Sequence, residues 1–287
     1  MSSPVIADKL RRKAFFVAPG VQDMIAALIV DKVGFDVVYA SGYWLTASSL
    51  GLPDAGLATY SQMLERMNAL TQTSKAAVIG DADTGYGGLL NVRHTVRGYE
   101  AAGVTAIQIE DQVFPKKCGH SPGTRTIATE DMVRKIEVAK DSIVDKASTL
   151  IIARTDARTS EGLDGCLRRV EAYAAAGADV LFPEALRDEE EMRTVCAASS
   201  VPVMANMANG GKTPILSAAT LAEIGFAFAI FPSLTSLTAA KAMEIALTRL
   251  NRDGQGDGGE APMFDFAEFC RLVGLEETWD FERKWST

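Results

Sequence analysis

One phrase decides how this chain is expected to fold: Glu100-Ala-Ala-Gly103-Val-Thr-Ala-Ile107, in which a helical segment ends at a glycine and an apolar run follows. Three further copies are Asp31-Lys-Val-Gly34-Phe-Asp-Val-Val38, Ala174-Ala-Ala-Gly177-Ala-Asp-Val-Leu181 and Ala222-Glu-Ile-Gly225-Phe-Ala-Phe-Ala229. Glycine just past a helix end adopts left-handed backbone angles, so it stops the helix and turns the chain into the next strand. The four copies therefore indicate an internal repeat of helix and strand.

Short apolar runs and segments of helical periodicity alternate along the whole chain. The predicted strands are 14–17, 37–40, 77–79, 106–109, 150–153, 180–182, 201–205 and 227–231. The predicted helices are 21–32, 61–71, 91–102, 129–140, 162–176, 187–198, 217–224 and 234–250. Strands that alternate with helices pair in parallel through crossovers. The pattern predicts the α/β class and a (β/α)₈ TIM-type barrel, and no Gly-x-Gly-x-x-Gly follows the first strand to favour a dinucleotide-binding sheet.

The domain organisation follows from the length of 287 residues and from a Gly/Asp-rich stretch near the end. We predict the barrel over 1–250, a Gly-rich linker over 251–262 and a C-terminal helical tail over 263–287. The tail is amphipathic and rich in aromatic residues, so it needs a surface to cover. Packing on the barrel and packing on a neighbouring subunit are both open, and the linker favours the subunit contact.

Composition and charge exclude several classes of protein. The 29 Lys and Arg against 37 Asp and Glu give a net charge of −8, without a basic run, which argues against nucleic-acid binding. Residues 1–13 lack the apolar core of a signal peptide, and no apolar stretch approaches the ~18 residues that span a membrane. We therefore expect a cytoplasmic protein with no membrane contact. The cysteines form no C-x-x-C pair and are expected to be free thiols.

Acidic residues follow several of the predicted strands. Asp81 and Asp83 come after the third strand, Glu110 ends the fourth, and Asp54 lies in the loop after the second. In a barrel the carboxyl ends of the strands meet at one mouth, where gathered carboxylates repel one another unless they are protonated or bridged by a cation. Oxygen ligands suit Mg²⁺ or Mn²⁺. Any one aspartate could simply cap a helix, but three converging loops favour a metal site.

The next three strands also end in polar residues, namely Arg154, Glu184 and Asn206. Arg154 can hold a substrate carboxylate with its planar guanidinium. A structural ion pair with Glu110 or Glu184 is an equally good interpretation of this arginine alone.

The most distinctive phrase is Lys116-Lys117-Cys118-Gly119-His120, in the loop after the fourth strand. Two lysines and a histidine are expected to lower the pKa of the Cys118 thiol toward that of a poised acid-base group. Glycines and prolines surround it, so it has no core to pack against, unlike the other cysteines. His120 is expected to orient the loop, and with only two histidines in the chain a zinc site is nearly excluded.

A family resemblance rests on this phrase and five others. They are Ser41-Gly42, Leu50-Gly-Leu-Pro-Asp54, Asp81-Ala-Asp83-Thr-Gly85-Tyr-Gly87, Ala153-Arg154-Thr-Asp156 and Asn206-Met-Ala-Asn209-Gly-Gly-Lys-Thr-Pro214. Over nearly its full length the chain resembles the isocitrate lyase/phosphoenolpyruvate mutase superfamily, and Lys-Lys-Cys-Gly-His is specific to the carbon–carbon lyase branch. The phrase from Asn206, together with Tyr43, is similar to the 2,3-dimethylmalate lyase and petal-death type, which usually has Glu where this chain has Asn209.

The resemblance implies a barrel whose C-terminal helix is exchanged between subunits of a homotetramer, with Mg²⁺ at the mouth. It implies that Asp81, Asp83 and Glu110 hold the metal directly or through water. The implied catalytic residues are Cys118, Lys117, His120, Glu110 and Tyr39. The implied substrate-binding residues are Ser41, Gly42, Tyr43, Asp54, Arg154, Glu184, Asn206 and Thr213.

The implied activity is the Mg²⁺-dependent cleavage of the C2–C3 bond of a 2-hydroxy dicarboxylate, such as a 2-alkylmalate like 2,3-dimethylmalate. The products are a 2-oxo acid and a carboxylate, and Cys118 protonates the carbanion. An oxaloacetate hydrolase or decarboxylase and a methylisocitrate lyase are the alternatives on the same scaffold. A barrel that only binds a dicarboxylate is the alternative from another class of protein.

Overall fold

The computed structural model describes residues 4–286, in which strands and helices alternate; residues 1–3 of the predicted barrel and 287 of the predicted tail lie outside that part. The strands are β1 (Phe16–Val21), β2 (Val37–Ala40), β3 (Ala77–Asp81), β4 (Ala106–Glu110), β5 (Leu150–Thr155), β6 (Val180–Pro183), β7 (Met204–Asn206) and β8 (Phe228–Phe231). The helices are α1 (Val5–Arg11), α2 (Met24–Val33), α3 (Gly42–Leu50), α4 (Tyr60–Thr73), α5 (Leu89–Ala101), α6 (Thr129–Ser142), α7 (Ala157–Ala175), α8 (Glu189–Ala198), α9 (Ala218–Ile224), α10 (Leu234–Asp253), α11 (Phe266–Leu272) and α12 (Leu275–Trp285). None of the helices between residues 4 and 286 combines the length and the apolar character that crossing a bilayer requires.

The eight strands form one parallel sheet in the order β6-β5-β4-β3-β2-β1-β8-β7. A parallel bridge between Leu181 and Val203 links β6 to the chain just before β7, and so brings the two edges of the sheet together. The prediction of a TIM-type (β/α)₈ barrel is confirmed. Its strands all point the same way, so their carboxyl ends share one mouth.

The repeated glycines act as the sequence predicts. Gly34 and Gly225 cap α2 and α9 with left-handed φ angles of 97° and 114°. The Gly34 N–H donates to the carbonyl oxygens of Val30 and Asp31, which satisfies the last turn of α2. In the repeat, the glycine therefore marks the place where the chain turns from a helix into the next strand.

Two helices were absent from the sequence interpretation. The first, α1, places Ile6 in the apolar cluster inside the barrel, beside Phe16 and Leu150 at the starts of their strands. It therefore covers the end of the barrel opposite the mouth. The second, α3, begins at Gly42 directly after β2. Both are short, and neither shows a strong helical periodicity.

Several element boundaries also differ from the expectation, among them β1, which covers Phe16–Val21 and not 14–17. The seventh strand begins at Met204 and not at residue 201, since Pro202 has no N–H to donate to a neighbouring strand. Helix α7 begins at Ala157, five residues before the expected start, and contains a kink at Gly162, whose φ is 75°. Glycine is rare inside helices, so the sequence pattern predicts a helix start at Gly162, where the structure has a kink.

The C-terminal tail forms α11 and α12 after α10 has ended at Asp253. Lys32 of α2 lies 3.6 Å from a carboxylate oxygen of Glu268 and 4.7 Å from the ring centroid of Phe264, so the start of the tail contacts the barrel. Trp279 and Trp285 of α12 remain exposed. The exchange of this tail between subunits of a homotetramer stays a prediction.

Candidate active site

The carboxyl ends of the strands surround a cavity of about 310 Å³. Most of the predicted site residues line it: Tyr39, Ser41, Tyr43, Asp54, Asp81, Cys118, His120, Arg154, Glu184 and Asn206. An apolar part of its wall is formed by Trp44, Ala208, Ile230, Pro232 and Leu237. Gly42, Asp83 and Glu110 are buried at the mouth without lining the cavity, whereas Lys117 and Thr213 lie outside it.

Asp81 ends β3 with its carboxylate held by surrounding donors. Its Oδ1 accepts from the Asp83 N–H at 3.0 Å and from Gln108 Nε2 at 3.1 Å, and its Oδ2 accepts from the Gly42 N–H at 3.1 Å. The Tyr39 hydroxyl lies 3.3 Å from Oδ2 and makes a shorter bond, 2.7 Å, to Gln108 Oε1. Burial, with the Asp81 charge, raises the pKa of Tyr39 well above its usual value. The Tyr39 hydroxyl therefore keeps its proton and donates to Gln108 and Asp81.

Asp83 and Glu110 each carry a buried oxygen without a hydrogen bond from residues 4–286, namely Oδ1 and Oε1. Asp83 adopts a φ of 48°, unusual for a residue other than glycine, and its Oδ1 faces Lys116 Nζ at 2.8 Å. Burial raises the pKa of Asp83 to about 6 and that of Glu110 well above its usual value. The Arg154 guanidinium opposes this shift in Glu110, whose Oε2 lies 3.3 Å from Arg154 Nε.

Lys116, and not Lys117, is the lysine of this site. Its side chain is 4% exposed, and its ammonium group bridges Asp54 and Asp83. Burial disfavours the charge, but the surrounding carboxylates outweigh burial and hold the pKa of Lys116 well above its usual value. Lys117 is exposed, and its backbone N–H and C=O both bond the Gln112 side chain. Successive residues of an extended loop point in opposite directions, which separates the two lysines.

The donor atoms and their charge fit a hard divalent cation bound partly through water. Among residues 4–286, no three acidic, histidine or cysteine side chains converge as a complete set of direct ligands. Mg²⁺ commonly keeps several waters and takes only one or two carboxylates from a protein. Glu110 Oε1 has no partner within residues 4–286 and is free to make such a bond, whereas Asp83 Oδ1 faces Lys116. The cations Lys116 and Arg154 face six buried or nearly buried carboxylates: Asp54, Asp81, Asp83, Glu110, Asp156 and Glu184.

Arg154 sits at the end of β5, with its guanidinium fixed by carboxylates. Its Nε and Nη2 donate to the two oxygens of Asp156 at 3.0 and 2.9 Å. Glu110 and Glu184 lie 3.3 and 3.4 Å away, and the guanidinium stacks over the Phe182 ring, 5.0 Å from its centroid. Both sequence interpretations of Arg154 therefore describe part of its environment: it is ion-paired, and it lines the cavity.

The Cys118 thiol lines the cavity, but its pKa moves in the opposite direction from the sequence expectation. Burial raises it, and Asp54 and Glu184 add to this, while the His120 N–H and Arg154 oppose it. The two lysines of the phrase do not lower it, because one is bound among carboxylates and the other is exposed. Cys118 therefore remains a protonated thiol at neutral pH, as a proton donor must.

Gly119 brings the backbone of the Cys118 loop directly against Arg154 and Asp156. A methyl group at this position would overlap both side chains. We expect Gly119→Ala to lower kcat/KM by about tenfold to a hundredfold, because displacing the loop by about 1 Å misplaces the thiol.

Gly256→Ala is the matched control, since Gly256 lies in the linker with open space around its added methyl group. Steady-state kinetics of both variants check the prediction. Equal activity of the two variants would show that the close approach of Gly119 has no role in catalysis.

His120 contacts the loop that follows β7. Its Nδ1 accepts from the Lys212 N–H at 3.3 Å, and its ring packs against Gly211, both in the loop after β7. Its Nε2 faces Glu184 Oε1 at 3.7 Å. The histidine thus joins the loop that carries Cys118 to the loop on the other side of the cavity.

The remaining predicted residues lie around the end of β7. Asn206 Nδ2 donates to Glu184 Oε2 at 2.9 Å. Thr213 lies behind this pair and lines a separate small cavity. Asn209 lines the main cavity and exchanges two hydrogen bonds with Ser233, at 2.9 and 3.1 Å.

Several residues of the site received no role in the sequence interpretation. They are Gln108, Asp111, Asp156 and Trp44, while Lys116 was expected only to lower the pKa of Cys118. Asp156 follows Arg154 by two positions, and Gln108 precedes Glu110 by two, so each pair shares one face of its strand. That spacing is the signal by which Asp156 and Gln108 could be found from the sequence.

The chain matches the sequence profile of the phosphoenolpyruvate phosphomutase family over residues 7–251. It is 44% identical over 278 residues to 2,3-dimethylmalate lyase of Eubacterium barkeri, covering 97% of this chain and 96% of the relative. It is 40% identical over 280 residues to 2-methylisocitrate lyase of Aeropyrum pernix, covering 98% and 89%. The chain therefore belongs to the phosphoenolpyruvate mutase/isocitrate lyase superfamily.

Solved structures agree with this membership. A crystal structure of 2,3-dimethylmalate lyase matches with a TM-score of 0.91 at 34% identity, covering 99% of this chain and 96% of that one. The structure of oxaloacetate acetylhydrolase with 3,3-difluorooxalacetate matches with a TM-score of 0.90 at 29% identity, covering 99% of this chain and 98% of that one. The structure of phosphonopyruvate hydrolase with oxalate and Mg²⁺ matches with a TM-score of 0.88 at 27% identity, covering 99% of both chains. Since its close relatives are lyases of this superfamily, the chain is a carbon–carbon lyase.

Proposed function

We propose that this lyase is Mg²⁺-dependent and cleaves the C2–C3 bond of a 2-alkylmalate such as 2,3-dimethylmalate. The products are a 2-oxo acid and a second carboxylate. The excess of buried carboxylates over buried cations around the cavity carries this proposal. A dianionic substrate would be repelled there unless a further cation entered with it. Mg²⁺ accompanies oxalate in the related phosphonopyruvate hydrolase, which supports the choice of metal.

Asp81, Asp83 and Glu110 would hold this Mg²⁺, directly or through water. A bound Mg²⁺ would polarise the 2-hydroxyl and the neighbouring carboxylate of the substrate. Glu110 Oε1, a buried oxygen with no hydrogen bond from residues 4–286, takes the hydroxyl proton. The C2–C3 bond then breaks, and its electron pair remains on C3, stabilised by the adjoining carboxylate. Cys118 donates its thiol proton to C3.

The shape and charge of the cavity favour a dicarboxylate with an alkyl substituent. Of the described residues that line it, Arg154 is the only arginine, so a third carboxylate would lack a guanidinium partner. This favours a substrate with two carboxylates over methylisocitrate, which has three. The apolar wall that contains Trp44 and Leu237 provides a surface for alkyl groups.

A substrate panel tests the proposal. The purified chain with MgCl₂ is incubated with 2,3-dimethylmalate, other 2-alkylmalates, methylisocitrate, isocitrate and oxaloacetate, and the products are identified by NMR. We expect a 2-oxo acid from the alkylmalates, loss of turnover in excess EDTA, and recovery with Mg²⁺ or Mn²⁺.

Two outcomes would replace this function by another. Oxalate and acetate from oxaloacetate, without alkylmalate cleavage, would identify a hydrolase like the neighbour of the same name. Preferred cleavage of methylisocitrate would identify a methylisocitrate lyase. Full turnover in EDTA would contradict the metal dependence.

A further inference from the structure

Arg169, on the outer helix α7, is buried and makes an unusually complete set of contacts for a residue that does not line the cavity. Its Nη1 donates to Asp111 Oδ2 at 3.1 Å and to the Tyr173 hydroxyl at 3.0 Å. Its Nη2 donates to the Ile127 carbonyl oxygen at 2.9 Å and to Glu161 Oε1 at 2.6 Å. One guanidinium therefore joins four separate groups.

One side of this network leads to Arg154. Asp111 directly follows β4, and its Oδ1 accepts from the Asp156 N–H at 3.0 Å, while its Oδ2 accepts from Tyr173 at 2.7 Å and from Arg169. The Asp156 carboxylate in turn holds the Arg154 guanidinium through two hydrogen bonds. A continuous series of contacts thus runs from Arg169 through Asp111 and Asp156 to Arg154.

The other side leads to the base of the Cys118 loop. This loop leaves β4 and returns at Ile127, whose N–H donates to the Asp111 carbonyl oxygen at 2.8 Å and whose C=O accepts from Arg169. The neighbouring Thr126 hydroxyl donates to Glu161 Oε1 at 3.0 Å. Arg169 and Glu161 together therefore hold the C-terminal end of the loop, at Thr126 and Ile127.

The kink in α7 makes this double contact possible. Gly162, with its φ of 75°, lets the chain turn just after Glu161, so that this side chain folds back over Gly165. A methyl group on Gly165 would overlap the Glu161 side chain. The Glu161 carboxylate thereby reaches both Arg169 and Thr126.

We propose that Arg169 and Asp111 are positioning residues that hold the base of the Cys118 loop and the Arg154 guanidinium in one fixed arrangement. The proton donor and the carboxylate-binding group then meet the same substrate at the correct separation. The proposal rests on the roles given above to Cys118 and Arg154. A purely structural ion pair would stabilise the barrel without affecting their placement.

Arg158 provides the matched control, because it lies on the same helix, is 8% exposed against 5% for Arg169, and is ion-paired with Glu191 on α8. We expect Arg169→Met to lower kcat/KM about a hundredfold, because positioning errors of about 1 Å have effects of this size. The kcat/KM of Arg158→Met should stay within about threefold of the wild-type value, although this variant also loses a buried ion pair. Circular dichroism establishes that both are folded at the assay temperature. If Arg169→Met does not fold, Arg169→Lys replaces it, since lysine keeps the charge but not the fork.

Two further variants separate the halves of the network. Thr126→Val is expected to lower kcat about tenfold without changing the dissociation constant for oxalate in MgCl₂, measured by calorimetry. Asp111→Asn is expected to weaken oxalate binding about tenfold through Arg154. The proposal is overturned if the Arg169 variant loses no more activity than Arg158→Met and oxalate binding is the same in Asp111→Asn as in the wild type. Absence of turnover by the wild type would instead refute the proposed function, and the oxalate measurements would still test the positioning.

Discussion

Replacing Cys118 by serine is expected to lower kcat for carbon–carbon cleavage by about 10² to 10⁴, the range that a positioned acid contributes. Serine keeps the size and hydrogen bonding of the residue, but its hydroxyl is a far weaker acid than a thiol. The nascent carbanion would therefore have to take its proton from water, a slower donor than a positioned thiol. Steady-state rates and the affinity for oxalate in MgCl₂ check the effect: turnover should collapse while binding changes little.

The control for this substitution is Cys196→Ser on α8, where another half-buried thiol lies outside the cavity. Its activity should equal that of the wild type. The pH profile gives an independent reading: the thiol donates only when protonated, so activity is present below its pKa and lost as the pH rises through it. Burial raises the pKa of Cys118, which places this alkaline limb above about 8.5, the usual value for a thiol. Full turnover by Cys118→Ser would exclude the thiol as the acid.

The barrel could be predicted because the glycines that end its helices can be recognised from the local sequence. Gly34 and Gly225 take left-handed angles at helix ends, where a residue with a Cβ is strained, so the sequence itself carries the positions of these turns. Helix α1 could not be predicted in the same way. It has seven residues, and its place is decided by Ile6 entering a cluster built from strands far away in the chain.

The acidic residues of the mouth could be predicted because strand ends in a barrel converge whatever their sequence separation. The partners of those residues could not, since pairing depends on side-chain direction within loops. Arg154 could bind several carboxylates, and only the structure shows that Asp156 holds it by two hydrogen bonds. Likewise, a positive field around Cys118 was expected because two lysines lie close to it in the sequence. One of them is neutralised by carboxylates, and the other is exposed to solvent.

Those adjacent lysines allow a sharp second test. Lys116→Gln is expected to lower kcat/KM by at least about a hundredfold and the free energy of unfolding by about 3 to 5 kcal/mol. The ammonium group of Lys116 bridges two buried carboxylates, and removing one partner of a buried ion pair leaves the other charges uncompensated. Asp54 and Asp83 would then repel each other and move apart or take up a proton. Chemical denaturation and steady-state kinetics measure both effects.

Lys117→Gln, one residue away, removes the same charge from an exposed side chain, whose backbone contacts with Gln112 do not depend on it. Its stability and activity should stay close to those of the wild type, since isolated surface charges contribute about 0 to 1 kcal/mol. Because the two variants carry the same net charge, a difference between them cannot come from the long-range field of the protein. Equal losses of activity in both variants would mean that Lys117 is a catalytic residue, as the family resemblance implies. A loss in Lys116→Gln alone places the essential ammonium group between Asp54 and Asp83.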